Sequence, residues 1–239
     1  MKKLLFSSAF LLAALFAQAQ NAEEIVAKHL KAIGADNWSK VNSLKMDAKI
    51  TSDAMAGMSI AMSSTIVRDK AARMEVSVMG MNQVTAINGE MGWTTNPFMG
   101  QTDPQPLTPD QVASMKDMLD IDGTLPGYKD KGYTLEYVGK EDVDGTEAYK
   151  IKIAKGKKTE YTFIDPETFY EIKQITVEEV DGESVESASV FSNHTKTDLG
   201  FVYPYTMQQQ SPMGPATVTI TSLQINPQVD NKIFEMPKK

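Results

Sequence analysis

The apolar residues of this chain repeat with a helical period near its start and with a strand period through most of the rest. From Asn21 to Ile33 they form one stripe at helical spacing, which predicts a helix that ends before Gly34. After Trp38 the period becomes two, and the alternating segments are separated by turns rich in glycine, aspartate and proline. Such alternation is typical of antiparallel strands with one apolar face. The pattern predicts a mostly β (α+β) chain of about eleven strands in a meander.

A second helix is expected after the fifth strand. The segment Thr108 to Leu119 begins with a threonine suited to the N-cap and has Pro109 at the first helical position. Val112, Met115 and Leu119 would form its apolar face. No repeat or linker is visible, so we expect one domain from residue 20 to residue 239. The strands expected after this helix are 133–138, 148–153, 160–164, 172–178, 185–191, 201–207 and 217–225.

The Asn88-Gly89 dipeptide predicts a hairpin between two of the earlier strands. Asn and Gly both tolerate a positive φ, as the two central positions of a type I′ turn require. Trp93 would then lie on the returning strand. Pro97 would end that strand, because proline has no N–H to give to the sheet.

The first residues have the pattern of a signal peptide. Lys2 and Lys3 precede an apolar run from Leu4 to Phe16, and Ala17-Gln18-Ala19 has the small residues of a cleavage site. We expect residues 1–19 to be removed before Gln20. The expected location is periplasmic or secreted, after export across the inner membrane of a bacterial cell.

The composition excludes several kinds of chemistry. The chain has no cysteine, which rules out disulfides, thiolate metal sites, thiol nucleophiles and the cysteine-linked lipid of a lipoprotein. Its net charge is −7, which opposes binding to nucleic acid or to anionic membrane surfaces.

No motif in the sequence predicts catalysis or a cofactor. The two histidines, His29 and His194, are far apart in the sequence and are expected to be structural. The sequences Asp120-Ile121-Asp122-Gly123 and Asp142-Val143-Asp144-Gly145 lack the spacing of a calcium loop, so turns are the simpler interpretation. We therefore expect no metal site, no catalytic residue and no cofactor, and a protein that is not an enzyme.

Methionine is unusually frequent in one part of the chain. Eleven of the fifteen methionines fall between Met46 and Met118, mostly on the predicted apolar faces. They could simply fill the core, but a methionine-lined surface also suits a cavity for flexible apolar ligands. The residues expected to line such a cavity are Met46, Met58, Ile60, Met62, Met74, Val76, Val78 and Met115.

The segment from Asn88 to Gln101 resembles a motif of the LolA/LolB-like family of periplasmic outer-membrane lipoprotein-sorting carriers. Six residues match in register the family segment D-G-K-x-L-W-x-Y-N-P-F-x-x-Q: Gly89, Trp93, Asn96, Pro97, Phe98 and Gln101. Arg68 falls at nearly the spacing of a family arginine that helps to hold a helical lid shut. The close match covers about 35 residues, and elsewhere only the strand pattern agrees.

This resemblance implies an incomplete antiparallel β-barrel of about eleven strands, closed by the helix at Thr108 to Leu119. It implies a monomeric carrier of lipid or of lipoprotein acyl chains, with envelope donor and acceptor proteins as partners. Asn96 to Gly100 would be the break where the chain leaves the sheet, with Phe98 and Met99 packed there. Trp93 and Phe98 join the ligand-binding set, although both could equally be core residues.

Arg68 has two interpretations. By the family pattern it would hydrogen-bond backbone carbonyls at a helix end, whereas the simpler alternative is an ion pair with Asp69 or another carboxylate. The whole protein also has an alternative function, that of a non-catalytic accessory domain of the cell envelope that uses the same sheet to hold a protein partner.

Overall fold

The computed structural model describes residues 21–53, 58–156, 158–180, 182–211 and 214–238, without the side chains of residues 180 and 211. The predicted signal peptide and its cleavage site lie outside the described residues.

The described chain is made mostly of strands. Helix α1 covers residues 21–32, and a 3-10 helix follows at Ala35–Lys40. Helix α2 is Pro109–Ser114, and further 3-10 helices lie at Pro97–Met99, Lys116–Leu119 and Asn231–Phe234. Strands β1 to β6 are Ser43–Thr51, Ile60–Val67, Ala71–Val78, Met81–Asn88, Met91–Asn96 and Gln101–Pro106. Strands β7 to β13 are Thr134–Val143, Thr146–Lys155, Lys158–Ile164, Glu171–Val180, Glu183–Lys196, Val202–Ser211 and Gly214–Ile225.

The thirteen strands form one sheet in the order β6-β5-β4-β3-β2-β1-β13-β12-β11-β10-β9-β8-β7. All the pairings whose register is defined are antiparallel. β6 and β7 stand at the two ends of this order, and no pairing among the described strands joins them. The predicted mostly β, antiparallel and incompletely closed architecture is confirmed, with thirteen strands in place of about eleven.

Strand β6 was missed in the sequence because it contains Pro104 and Pro106. Leu107 N–H donates to the carbonyl of Gly92 at 2.8 Å, so alternation along the strand turns both proline nitrogens away from β5. Prolines are tolerated there because β6 is an edge strand. The prediction that the chain leaves the sheet at residues 96–100 is therefore wrong, since this segment is a tight connection between β5 and β6.

The turn between β4 and β5 is centred one residue later than predicted. Asn88 pairs with Met91, which leaves Gly89 and Glu90 as the two central residues. Gly89 has a φ of 62°, and Glu90 is not among the residues with positive φ. This is the requirement of a type II′ turn, not of the predicted type I′. Trp93 nevertheless lies on the returning strand, as predicted.

The chain divides into two compact units. One, the β1–β6 unit, comprises the described residues within 37–123, 205–208 and 214–239. The other, the β7–β11 unit, comprises those within 1–36, 124–204 and 209–213. The single domain expected from residue 20 stays a prediction.

In the β7–β11 unit, helix α1 covers one face of β8 and β9. The buried cluster that joins them contains Ala22, Ile25, Val26, Leu125, Ile151, Ile153 and Ile164. Gly34 follows α1 with a φ of 67°, and a Cβ there would lie 2.6 Å from the carbonyl oxygen of Gly200. Glycine is therefore required at the position predicted to end the helix.

Candidate functional site

One face of the β1–β6 unit is apolar across its central strands. Residues directly opposite each other in an antiparallel pair lie on the same face. Met62 of β2 lies opposite Ala48 of β1 and opposite Val76 of β3, which aligns the three strands. The same registers bring six of the predicted binding residues together on what we call the methionine face: Met46, Ile60, Met62, Met74, Val76 and Val78.

The methionine face is only partly covered. Ile60 is buried, whereas its five other residues keep part of their surface accessible. A packed core would leave such side chains almost no accessible surface. The face can therefore accept additional apolar atoms.

One end of this face is closed by the lid segment, which we define as α2 and the 3-10 helix Lys116–Leu119. Val112 is almost fully buried against Ala72 and Ile87, which form the sheet row at that end. Met115 packs against the same cluster. The lid helix was predicted as one element to Leu119, but the α-helix ends at Ser114 and the rest is 3-10. Its predicted capping box at Thr108 is present.

The opposite end of the methionine face is rimmed by exposed methionines. Met58 precedes β2 and is 45% exposed. Met79 lies in the turn between β3 and β4 and is 75% exposed, and Met81 follows it. These side chains lie beside the row that contains Ile60 and Val78. Apolar surface is therefore continuous from the face to its rim.

Trp93 does not lie on the methionine face. It is opposite Ala86 of β4, which is opposite Arg73 of β3. Arg73 precedes Met74, and successive residues of a strand point to opposite sides. Trp93 is buried, and its Nε1 donates to the carbonyl of Phe234 at 2.9 Å. Its position is that of a core residue.

Phe98 and Met99 do not pack at a break in the sheet. The 3-10 turn that contains them has no buried residue, and the two side chains are 42% and 83% exposed. The packing prediction was wrong because β6 continues the sheet directly after this turn.

Arg68 lies just after β2, and its guanidinium makes four hydrogen bonds. Its Nε donates to the carbonyl of Val41 at 2.7 Å and its Nη2 to that of Trp38 at 2.6 Å. Nη1 and Nη2 each lie 2.7 Å from one oxygen of Asp122, three residues beyond the lid segment. Both alternatives for Arg68 are thus present, since it binds backbone carbonyls and a carboxylate, although neither carbonyl belongs to the lid segment.

The surroundings of Arg68 favour its charged form. The hydrogen bonds to Asp122 raise the pKa of Arg68, and partial burial opposes this shift to a smaller extent. A bidentate pair of this geometry fixes orientation as well as charge. Arg68 therefore connects β2, the 3-10 helix near Trp38 and the chain after the lid segment.

Both histidines stabilise the connection between β9 and β10 in the β7–β11 unit. His29 Nδ1 donates to the carbonyl of Phe169 at 2.8 Å, and His194 Nε2 donates to the carbonyl of Glu171 at 2.9 Å. Burial lowers the pKa of His29 and that of His194, and the two hydrogen bonds oppose the shift. Phe169 has a φ of 57°, a strained conformation for an aromatic residue. The predicted structural role of the histidines agrees with this geometry.

The carboxyl group of Glu171 is buried beside this turn, although part of the residue remains accessible to solvent. Thr162 Oγ1 donates to Glu171 Oε1. Burial raises the pKa of Glu171 to about 8, and the nearby Glu160 adds to the shift. Glu160 itself lies 3.5 Å from Lys155 Nζ and accepts a hydrogen bond from Thr124. No local pattern in the sequence indicates this polar cluster, because its members are separated along the chain.

Among the described residues, no group of three or more histidines or carboxylates could hold a metal ion. No helix in the described part is long and apolar enough to cross a membrane.

The fold resembles that of several solved structures. A LolA superfamily protein of Nitrosomonas europaea matches with a TM-score of 0.58 and 15% identity, over 90% of this chain and 97% of that one. A Vibrio parahaemolyticus domain designated an outer membrane lipoprotein-sorting protein matches with a TM-score of 0.55 and 12% identity, over 90% and 97%. A DUF1329 family protein of Desulfovibrio piger matches with a TM-score of 0.54 and 13% identity, over 87% and 96%.

The chain thus has the fold of LolA superfamily and lipoprotein-sorting proteins, which confirms the predicted resemblance at the level of the fold. No family model matches the sequence, and no curated protein does.

Proposed function

We propose that this protein is a carrier that holds the acyl chains of lipids or lipoproteins on the methionine face, for outer-membrane lipoprotein sorting. The observation that carries the proposal is the alignment of Met46, Met62, Met74, Val76 and Val78 on one partly accessible face. Burial of an acyl chain contributes about 0.8 kcal/mol for each CH₂ group, so one chain supplies ample driving force. Flexible thioethers adapt to chains of different shape.

The cargo would enter from the exposed rim and stop at the lid segment. Met58, Met79 and Met81 extend the apolar surface at the rim. Val112 and Met115 close the other end by packing on Ala72 and Ile87. A chain lying along the strands from rim to lid would remove the accessible part of the methionine face from water.

Arg68 would hold the empty carrier closed. Its bonds to Asp122, Trp38 and Val41 tie the end of the lid segment to the sheet. If cargo displaces the lid, these bonds break, and their re-formation favours release. A charged hydrogen bond contributes roughly 1.5–3 kcal/mol, which can shift a two-state lid tenfold or more.

The carrier would be periplasmic, monomeric and without catalysis or cofactor, and it would exchange cargo with donor and acceptor proteins of the envelope. Support comes from the signal-peptide pattern and from the fold shared with a domain designated as lipoprotein-sorting.

Native mass spectrometry of protein purified from cell envelopes tests the proposal. We expect a population with one bound phospholipid or acylated species, which organic solvent extracts. Protein that is empty in every preparation, and that binds no fluorescent fatty acid after extraction, would contradict the carrier function. That outcome would favour the accessory domain that holds a protein partner.

A further inference from the structure

The β1–β6 unit contains a pocket beside the edge of the sheet, with a volume of about 310 Å³. Its walls come from β5, from the connection between β6 and α2, and from the C-terminal segment. Met91 and Trp93 occupy alternate positions of β5, so both face away from the methionine face. The apolar lining residues are Met91, Trp93, Pro106, Leu107, Phe234 and Met236.

The pocket offers an apolar surface that can adapt its shape. Trp93 Nε1 is already bonded to the carbonyl of Phe234, so the indole presents only its ring. Met91 is 73% exposed and Met236 is about half exposed. Exposed apolar side chains that form a contiguous patch can mark an interaction site, and methionine suits such sites because its side chain is flexible.

Carboxylates lie next to this apolar surface. Glu90 and Glu235 both line the pocket, and Glu235 is exposed. Glu90 lies 2.7 Å from Lys116 Nζ but is largely exposed to solvent. Two carboxylates favour a cation beside the apolar group and oppose a phosphate. The net charge of the chain, −7, acts in the same direction.

We propose that this pocket docks a protein partner through an aromatic or long aliphatic side chain that stands next to a lysine or arginine. The volume is at the lower limit of small-molecule sites, which span roughly 300–1,000 Å³, and suits a single anchoring side chain. Backbone pairing with β6 is not available to the partner, because Pro104 and Pro106 turn their nitrogens outward. Recognition must therefore use side chains.

The pocket lies at the start of the lid segment. Pro109, the first residue of α2, also lines the pocket. A docked partner therefore touches the start of the lid segment without occupying the methionine face. This inference goes beyond the carrier function, since no residue of the methionine face lines the pocket.

Two capped hexapeptides test the proposal, Gly-Phe-Lys-Leu-Lys-Gly and its acidic counterpart Gly-Phe-Glu-Leu-Glu-Gly. Binding is measured by calorimetry on the full chain and by Trp93 fluorescence in Trp38→Phe, where Trp93 is the only tryptophan. We expect saturable binding of the basic peptide, with affinity for the acidic one about tenfold weaker, equivalent to ~1.4 kcal/mol.

Met91→Lys and Met99→Lys form a matched pair of variants, because both methionines are highly exposed but only Met91 lines the pocket. Met91→Lys should weaken binding of the basic peptide about tenfold by charge repulsion at the site, and Met99→Lys should leave it unchanged. Equal affinity for the two peptides, equal losses in the two variants, or no saturable heat would overturn the proposal. Binding of fatty acid on the methionine face is measured separately and does not depend on this outcome.

Discussion

Arg68 and Asp122 form a bidentate ion pair across 54 residues of the chain, with both nitrogen–oxygen distances at 2.7 Å. Both side chains are only about one fifth exposed. The same guanidinium binds two backbone carbonyls, those of Val41 and Trp38. The end of the lid segment is therefore fixed to the sheet by one residue whose guanidinium makes four hydrogen bonds within the protein.

Arg68→Leu should loosen the lid segment and slow the release of cargo. The substitution removes four hydrogen bonds and leaves the Asp122 carboxylate without its partner. We expect tighter retention of a fluorescent fatty acid and slower transfer to acceptor vesicles. Asp122→Asn should have a smaller effect in the same direction, because the bonds to the two carbonyls remain.

Arg73→Leu is the matched control. Arg73 pairs with Glu75 and is the only other arginine of the chain. It should leave transfer unchanged, since it lies on the other side of the sheet from the methionine face. If Arg68→Leu transfers cargo as fast as wild type, Arg68 has no part in the mechanism.

The strand period predicted the methionine face, but it did not predict strand β6 or the contact between Arg68 and Asp122. Alternation alone placed Met46, Met62 and Met74 on one side, because a strand has a side-chain period of two. Strand β6 was not predicted, because Pro104 and Pro106 are compatible with a strand only at the edge of a sheet. That edge position cannot be read from the local sequence. Contacts such as Arg68 to Asp122 depend on how distant segments meet, which no local pattern encodes.

The two histidines illustrate the same limit. His29 and Phe169 are 140 residues apart, so a structural role could be predicted for His29 but its partner could not. For Trp93 the sequence left open a binding role and a core position. Its motif was recognised, but the alternation of the strand sends its ring to the side opposite Met74.

Met74→Glu should abolish most fatty-acid binding while the protein stays folded. A carboxylate at the centre of the methionine face costs free energy when acyl chains exclude water, but it can be hydrated when the face is empty. Ser77→Glu is the control, since Ser77 lies on the same strand and faces the other side. Binding is measured by displacement of a fluorescent fatty acid, and folding by circular dichroism. Loss of the fold in Met74→Glu would show that this face is packed core.

Met79→Asn should raise the free energy of unfolding. Met79 and Gly80 have φ values of 52° and 81°, the pattern of a type I′ turn. A left-handed conformation costs a methionine about 1 kcal/mol, and asparagine tolerates it better. Urea denaturation measures the change. Met99→Asn, which alters another exposed methionine outside the positive-φ set, should give no gain.

Glu171 should make the protein less stable at alkaline pH. In the unfolded chain a glutamate ionises near its usual pKa of 4.5, whereas enclosure raises the pKa of folded Glu171 to about 8. The folded state keeps a proton that the unfolded state releases, so the contribution of Glu171 to the free energy of unfolding falls as the pH rises between these values. Glu171→Gln should remove this slope in urea denaturation at pH 5, 7 and 9. Glu167→Gln, an exposed glutamate of the same turn, should leave it in place.

His29 should make the protein less stable at acidic pH. Burial lowers the pKa of His29 below its usual value of 6.5. Between the folded and the unfolded pKa, the unfolded state therefore binds a proton that the folded state does not bind. The contribution of His29 to the free energy of unfolding is therefore complete above pH 6.5 and is lost as the pH drops towards the lower folded pKa. His29→Gln can still donate to the carbonyl of Phe169 but does not titrate, so it should flatten the acid side of the profile. His194→Gln should flatten it less, since His194 is more accessible than His29. An unchanged acid slope in His29→Gln would show that other groups control stability in this range.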